Sequence, residues 1–378
     1  MSVEELQLSV EDISENETET LTEEAEEDIE KLNNEKEARK IAQGGNYEAI
    51  LEELKEKDLL YEQVDRISGY LSIDFMTDND WEMLTVMELY DRGTFEHCVK
   101  TYKIAKDKVE KVLDGGIIIA NIIEEEGVDL EVFYRACLFH DIGKIEIPEF
   151  ILNNKFTDGD WTNSLCNIIN KTEDDPFKEI AQNYIGVKKH QKIEEDELAT
   201  LLEERKIRSM WLVPVKEVLT SKESIELEGL GFSSNDSLRK IIESHEEISE
   251  RILKNSGLEI EAKLAGQHHN YKQKNTNILE SPKTTTAMAI SLNLADVLQL
   301  ADIQQALESG SRFYKSSFSE LRVLSELIGR AEGGYVDGYI TYLWVKDSME
   351  EFDSKKIKNK SDFERLDTIN KFLKSYTK

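Results

Sequence analysis

The sequence predicts an all-α protein. From about Asn46 onward apolar residues recur at helical spacing, as in Ile50, Leu51, Leu54, Leu59 and Leu60, and such signals continue to the end of the chain. No strand-rich segment and no internal repeat interrupts them. Only 4 Pro and 19 Gly occur in 378 residues, with 39% apolar side chains, which excludes collagen-like and Pro-rich classes and leaves enough apolar surface for a core.

The elements follow in order. Residues 1–30 hold 13 Asp or Glu and no Lys or Arg, which predicts a disordered acidic tail over about residues 1–40. An N-terminal helical segment is expected over 41–90 and a helical bundle over 91–346. Within the bundle, residues 155–235 change character: Asp158-Gly159-Asp160, Glu173-Asp174-Asp175-Pro176 and many Lys and Glu surround Met210-Trp211-Leu212-Val213-Pro214-Val215. This stretch reads as an inserted, partly helical subdomain. Residues 347–378 predict a basic C-terminal helix, docked through Phe363, Leu366, Ile369, Phe372 and Leu373.

Charge narrows the partners. The balance of 47 basic against 78 acidic residues gives −31, and a polyanion repels other polyanions, so general nucleic-acid binding is not expected. The N-terminus lacks the basic flank and apolar run of a signal peptide, and stretches such as Gly116–Ile123 are too short to span a bilayer. A cytoplasmic protein without membrane association is expected. Cys98, Cys137 and Cys166 show no CxxC spacing and read as buried reduced thiols.

The chemistry is concentrated in few residues. Of 6 His, at 97, 140, 190, 245, 268 and 269, the pairs His140-Asp141 and His268-His269 stand out. His140 follows Leu130, Phe133 and Cys137 at helical spacing, and His245 is flanked by Ile241, Ile248 and Ile252, so both imidazoles project from apolar faces. Asp296 lies in a helix apolar nearly all round, where an unpaired carboxylate is costly and should meet a cation. Imidazoles and carboxylates together are ligands for Fe, Mn and Zn, and helices can converge them on one point. His190, among lysines, reads as a solvated surface residue.

Here the sequence resembles a known family. Phe139-His140-Asp141-Ile142-Gly143-Lys144-Ile145, with Ile147-Pro148 and Ile151-Leu152, is similar to the HDxGKI-x-IP-x-x-IL signature of the HD-GYP phosphodiesterases, a branch of the HD-domain metal-dependent phosphohydrolases. Thr94-Phe95-Glu96-His97 resembles the family's T-x-x-H helix start, the segment around His245 its next ligand helix, Gln267-His268-His269 its HHE motif, and Leu294-Ala295-Asp296-Val297 its final aspartate helix. Arg312-Phe313-Tyr314-Lys315 is similar to the R-P-Y-R/K turn that follows. The resemblance spans roughly residues 91–345 and implies an all-α HD-domain bundle.

It also implies a site: His97, His140, Asp141, His245, His268, His269 and Asp296 as ligands of two divalent ions, with Asp141 bridging. Gly93 stands where three-metal members carry Glu, which favours two ions. A hydroxide held between two such ions could attack phosphorus in line without a protein nucleophile. Lys144, and with it Arg312 and Lys315, would contact the substrate phosphate. The implied activity is a signalling phosphodiesterase acting on a small phosphate ester or a cyclic dinucleotide such as cyclic di-GMP. The family's HHE-x-x-D-G-x-G-Y-P loop is replaced here by His269-Asn270-Tyr271-Lys272-Gln273-Lys274. That departure keeps open a general nucleotide or phosphate-ester hydrolase, and a different class, a non-catalytic metal-stabilised receptor or scaffold, would use the insertion or the acidic tail to bind a protein.

Overall fold

Helix formation begins earlier in the chain than its acidic composition suggests. The structure, a computed structural model, describes residues 15–113, 129–153, 156–172, 176–189, 191–269, 294–309, 318–357 and 359–376. Residues Glu15–Ala42 form one helix, α1, so the expected disordered tail over 1–40 is corrected from residue 15 onward. Glu, Ala, Leu, Lys and Arg are strong helix formers, and the last turns gain tertiary support by burying Ala38, Ile41 and Ala42.

The chain divides into two units, Met1–Tyr90 and Asp91–Lys378. In the first, α2 (Tyr47–Glu56) starts at Asn46, whose side chain accepts from the Ala49 N–H, and is followed by α3 (Leu60–Tyr70) and α4 (Asp78–Tyr90). α4 is buried nearly all round, through Met83, Leu84, Val86, Met87 and Leu89. A buried carboxylate among them needs partners, and Glu88 has two: Arg39 of α1 and Arg66 of α3, each at 2.8 Å.

The second unit opens with α5 (Arg92–Lys108), capped by Asp91 through the N–H groups of Gly93 and Thr94. Next come α6 (Leu130–Phe139), a 3₁₀ turn over Ile142–Glu146, and α7 (Glu149–Leu152). α8 (Asp158–Asn170) begins in a capping box between Thr157 and Asp160. It leads through α9 (Pro176–Ile185) and α10 (Glu195–Arg205) to α11 (Ser221–Gly229), which has a second capping box of Thr220 and Glu223. Then follow α12 (Leu238–Glu243), α13 (His245–Asn255), α14 (Glu259–Ala265), α15 (Leu294–Glu308), α16 (Glu320–Glu332), α17 (Gly338–Glu350) and α18 (Lys360–Ser375). Among the described residues there is no strand, only an isolated bridge between Pro214 and Ser237, so the fold is all-α as expected.

α6 lies against α5 and α14, and α15 against α5 and α16. Together with α13, this arrangement collects residues from α5, α13 and α15 and from the ends of α6 and α14 at one point. The segment from α8 to α11 builds its own core around Trp161, Leu165, Ile168 and Ile185, each fully or almost fully buried. Burial of such a side chain stabilises by about 1.5–3 kcal/mol. That core shares Ile147 and Ile151 with the turn after α6, and Leu238 and Ile241 with α12. This segment thereby packs beside the two chain segments that carry Asp141 and His245.

α18 packs on α16 and α17 through Ile369 and Phe372, whereas Phe363 is 61% exposed. The inward stripe runs through Asp362, Arg365, Ile369 and Phe372, and Phe363 sits about 100° off it. Among the described residues no helix is long and apolar enough to cross a membrane.

Candidate metal centre

The adjacency His140-Asp141 falls where a helix stops. α6 ends at Phe139, His140 caps it, and Asp141 begins the 3₁₀ turn. The turn is pressed against α13. A Cβ on Gly143 would lie 2.2 Å from the carbonyl oxygen of His245 and 2.6 Å from the amide nitrogen of Ser249, distances only glycine allows. The Gly143 N–H donates to Ser249 Oγ at 2.8 Å, which closes the contact without an orphaned buried amide. Asp141 and His245 are set by this junction.

Asp141 is 1% exposed, and its two oxygens face different partners. Oδ1 is 2.9 Å from His245 Nε2 and 3.6 Å from His268 Nε2; Oδ2 is 3.3 Å from His97 Nε2 and 3.6 Å from His140 Nε2. A second carboxylate, Asp302 of α15, has Oδ1 at 3.0 Å from His97 Nε2 and Oδ2 at 3.9 Å from His269 Nδ1. Among the described residues the potential ligands form three overlapping groups: Asp141 with His245, His268 and His269; His97 with His140 and Asp302; and Cys98 with His140 and Asp141. Cys98 lies beside His140 and Asp141, and burial together with the Asp141 charge pushes its thiol well above the ordinary range.

Three of the imidazoles are held by backbone carbonyls. His140 Nδ1 donates to Cys137 O at 2.9 Å, His245 Nδ1 to Ile242 O, and His268 Nδ1 to Ala265 O. A carbonyl can only accept, so each Nδ1 carries a proton and each ring turns its Nε2 inward. Nε2 atoms then face one another, His97 and His140 at 3.2 Å, His245 and His268 at 3.4 Å, and Asp141 Oδ1 makes no hydrogen bond. Acceptors converging in this way need protons or cations between them.

Electrostatics agree. Burial opposes charge on His97, but Asp141 and Asp302 outweigh it and push the imidazole up to about 9. His268 is raised by the same balance, with Asp141 opposing burial. Burial drives His140 down to about 3 and lowers His245 and His269 as well. Burial alone would raise the two carboxyls, yet Lys144 and the surrounding histidines hold Asp141 well below the usual range, and His97 does the same for Asp302. His140, His245 and His269 are thereby held neutral and both carboxylates ionised, the states that metal ligands require, whereas His97 and His268 hold protons that a bound cation would displace. The donor set therefore fits divalent ions, and its N and O character suits Zn, Fe or Mn alike.

The expected ligand Asp296 is not among these groups. It is buried, 3% exposed, but sits six residues before Asp302 on α15, about 240° around the axis and about 9 Å along it. The two positions lie on different faces of α15. The signal was present as a duplication, since Leu294-Ala295-Asp296 and Leu300-Ala301-Asp302 are the same tripeptide. Periodicity alone does not choose between two aspartates on a helix buried on nearly all sides.

Lys144 lies one turn beyond Asp141, its ammonium against Asp141 Oδ2. Its side chain is 13% exposed, beside His97 at 17% and His269 at 23%, whereas His140 and His268 are sealed. The partly exposed members of the cluster are thus Lys144, His97 and His269. Arg312, Lys315, His190 and Asn270–Lys274 lie outside the described residues.

Helices that converge imidazoles and carboxylates on a buried point define an all-α protein with a His/Asp cluster that could hold metal. Residues 94–223, about a third of the chain, match the family model of the HD domain. The match contains His97, His140 and Asp141 and ends before His245. Comparison with curated proteins and with solved structures finds no significant match.

Proposed function

We propose that this chain is a phosphodiesterase of the HD-GYP type that works through a dinuclear centre, with His97, His140 and Asp302 holding one ion, His245, His268 and His269 the other, and Asp141 joining them. The observation that carries this reading is the division of Asp141: Oδ1 faces His245 and His268, while Oδ2 faces His97 and His140. A carboxylate with one oxygen in each cluster is what two adjacent cations need. Bound there, two divalent ions would lower the pKa of water at the site and neutralise charge on phosphoryl oxygens.

The chain's own groups have separate duties. Asp141 and Asp302 supply the negative charge that attracts cations, and the inward Nε2 lone pairs supply neutral donors. Lys144 would stabilise charge developing on the phosphate, with Arg312 and Lys315 as further phosphate contacts. The sealed side formed by His140 and His268 keeps bulk water from that flank. Asn270–Lys274 in place of the family's loop favours a second reading, a general nucleotide or phosphate-ester hydrolase on the same centre.

The test is metal analysis of anaerobically purified protein, together with turnover of cyclic di-GMP, other cyclic dinucleotides, nucleotides and a model diester with Mn²⁺ or Fe²⁺. About two ions per chain and hydrolysis of a cyclic dinucleotide support the leading reading. Hydrolysis of nucleotides or monoesters alone supports the second. A fully metallated protein that turns over none of them would overturn both.

A further inference from the structure

His97 is oriented differently from three of its neighbours. His140, His245 and His268 all sit at helix boundaries, and each uses the carbonyl three residues earlier as acceptor for Nδ1–H. Cys137, Ile242 and Ala265 belong to the final turns of α6, α12 and α14. Ile242 O and Ala265 O each also accept a backbone N–H, from Ser244 and His268, and the second lone pair of a carbonyl oxygen at a helix end can hold an imidazole. The position at the helix end thus fixes the ring without help from another element.

His97 has no such option. It lies inside α5 (Arg92–Lys108), where the preceding carbonyls already accept backbone N–H groups of the helix. An imidazole there needs its acceptor from elsewhere, and Gln305 of α15 supplies it: His97 Nδ1 donates to Gln305 Oε1. Gln305 is 5% exposed, and it follows Asp302 by three residues, on the same face of α15. One turn of α15 thereby grips both nitrogens of the ring, Gln305 at Nδ1 and Asp302 at Nε2, the latter at 3.0 Å.

Building on the metal-dependent reading above, we propose that Gln305 is a positioning residue, whose side-chain oxygen replaces the missing backbone acceptor and keeps His97 Nε2 turned toward the centre. A polar partner of this kind behind a ligating histidine is worth about 10–100-fold in metal affinity. Because His97 belongs to only one of the three ligand groups, loss of Gln305 should weaken one ion and spare the other. A purely structural glutamine would give no such asymmetry.

The experiment compares wild type, Gln305→Leu and Gln305→Glu, the last of which keeps an acceptor. Each is titrated with Zn²⁺ after metal removal, and the slowly exchanging imidazole N–H protons are recorded with ¹⁵N-labelled histidine, His97 being assigned by its absence from His97→Asn. We expect the His97 Nδ1–H signal to disappear in Gln305→Leu and to persist in Gln305→Glu. Affinity for one of two Zn²⁺ ions should fall about 10–100-fold in Gln305→Leu and recover in Gln305→Glu. An unchanged His97 signal and unchanged Zn²⁺ binding in a folded Gln305→Leu would overturn the role of Gln305. Failure of the wild type to bind Zn²⁺, with the His97 signal still dependent on Gln305, would instead overturn the metal-centre reading while leaving the His97–Gln305 lock supported.

Discussion

His245 Nε2 stands 2.9 Å from Asp141 Oδ1, and that contact depends on a junction between two backbones: Gly143 of the turn lies directly against the carbonyl of His245. The ligand distance is thus controlled by a residue that is not a ligand. Gly143→Ala should destabilise the protein by about 1–3 kcal/mol or more, because the clash is with backbone and cannot be relieved by a rotamer. It should also lower metal content by separating Asp141 from His245. Ser249→Ala, which only removes the acceptor of the Gly143 N–H, should cost about 1 kcal/mol. Thermal melts with metal analysis decide; a Gly143→Ala protein of normal stability and metal content would show the junction to be slack.

Asp141→Ala should reduce metal binding more than any other single ligand change. Outer partners of ligands are worth about 10–100-fold, and this carboxylate faces both sets of histidines directly, so a loss beyond about 100-fold is expected, with turnover abolished. Isothermal titration with Mn²⁺ and a diester assay check it. Two ions retained at near-normal affinity would contradict a shared carboxylate.

The duplicated Leu-Ala-Asp tripeptide invites a direct comparison. Asp302→Asn should lose the ion on the His97 and His140 side, whereas Asp296→Asn should keep normal metal stoichiometry, since its position lies on another face of α15. Metal analysis of the two purified variants discriminates, and the reverse result would restore Asp296 as the ligand.

Lys144→Ala should lower kcat/KM while leaving metal content within about twofold of wild type, because an ammonium can stabilise phosphoryl charge without coordinating a cation. Steady-state kinetics on a diester beside metal analysis separate the two effects. A loss of metal equal to the loss of turnover would make Lys144 part of the ligand scaffold instead.

The N-terminal unit should be acid-sensitive through Glu88. Burial penalises its charge, but Arg66 and Arg39 outweigh that penalty and hold the carboxyl below its ordinary value of 4.5. A depressed folded-state value contributes stability that is fully present above the unfolded value and is lost as pH falls through the folded one. Glu88→Gln should therefore be less stable than wild type at pH 7, and the difference should shrink below about pH 4. Melts across pH 7 to pH 3 follow this; a difference independent of pH would point to packing rather than to the ion pairs.

Much of this protein was determined by sequence alone, because the relevant signals are local. Helical periodicity is set by residues three and four apart, and it identified an all-α chain; the run from Phe139 to Leu152 marked the His140-Asp141 turn and the glycine it needs. His97, His245, His268 and His269 were recognisable as chemistry-bearing residues in otherwise apolar or capped positions. Tertiary structure decided what local pattern leaves degenerate. Asp296 and Asp302 occupy the same tripeptide on a helix buried nearly all round, and the packing of α15 against α5 is what brings Asp302 beside His97. The role of Gln305 is equally invisible in sequence, since it follows from His97 lying inside a helix while its counterparts lie at helix ends. Residues 15–42 are the opposite case: charge density predicted disorder, but helix propensity and the burial of Ala38, Ile41 and Ala42 act together to order them, and burial is a property of the partner surface rather than of the segment.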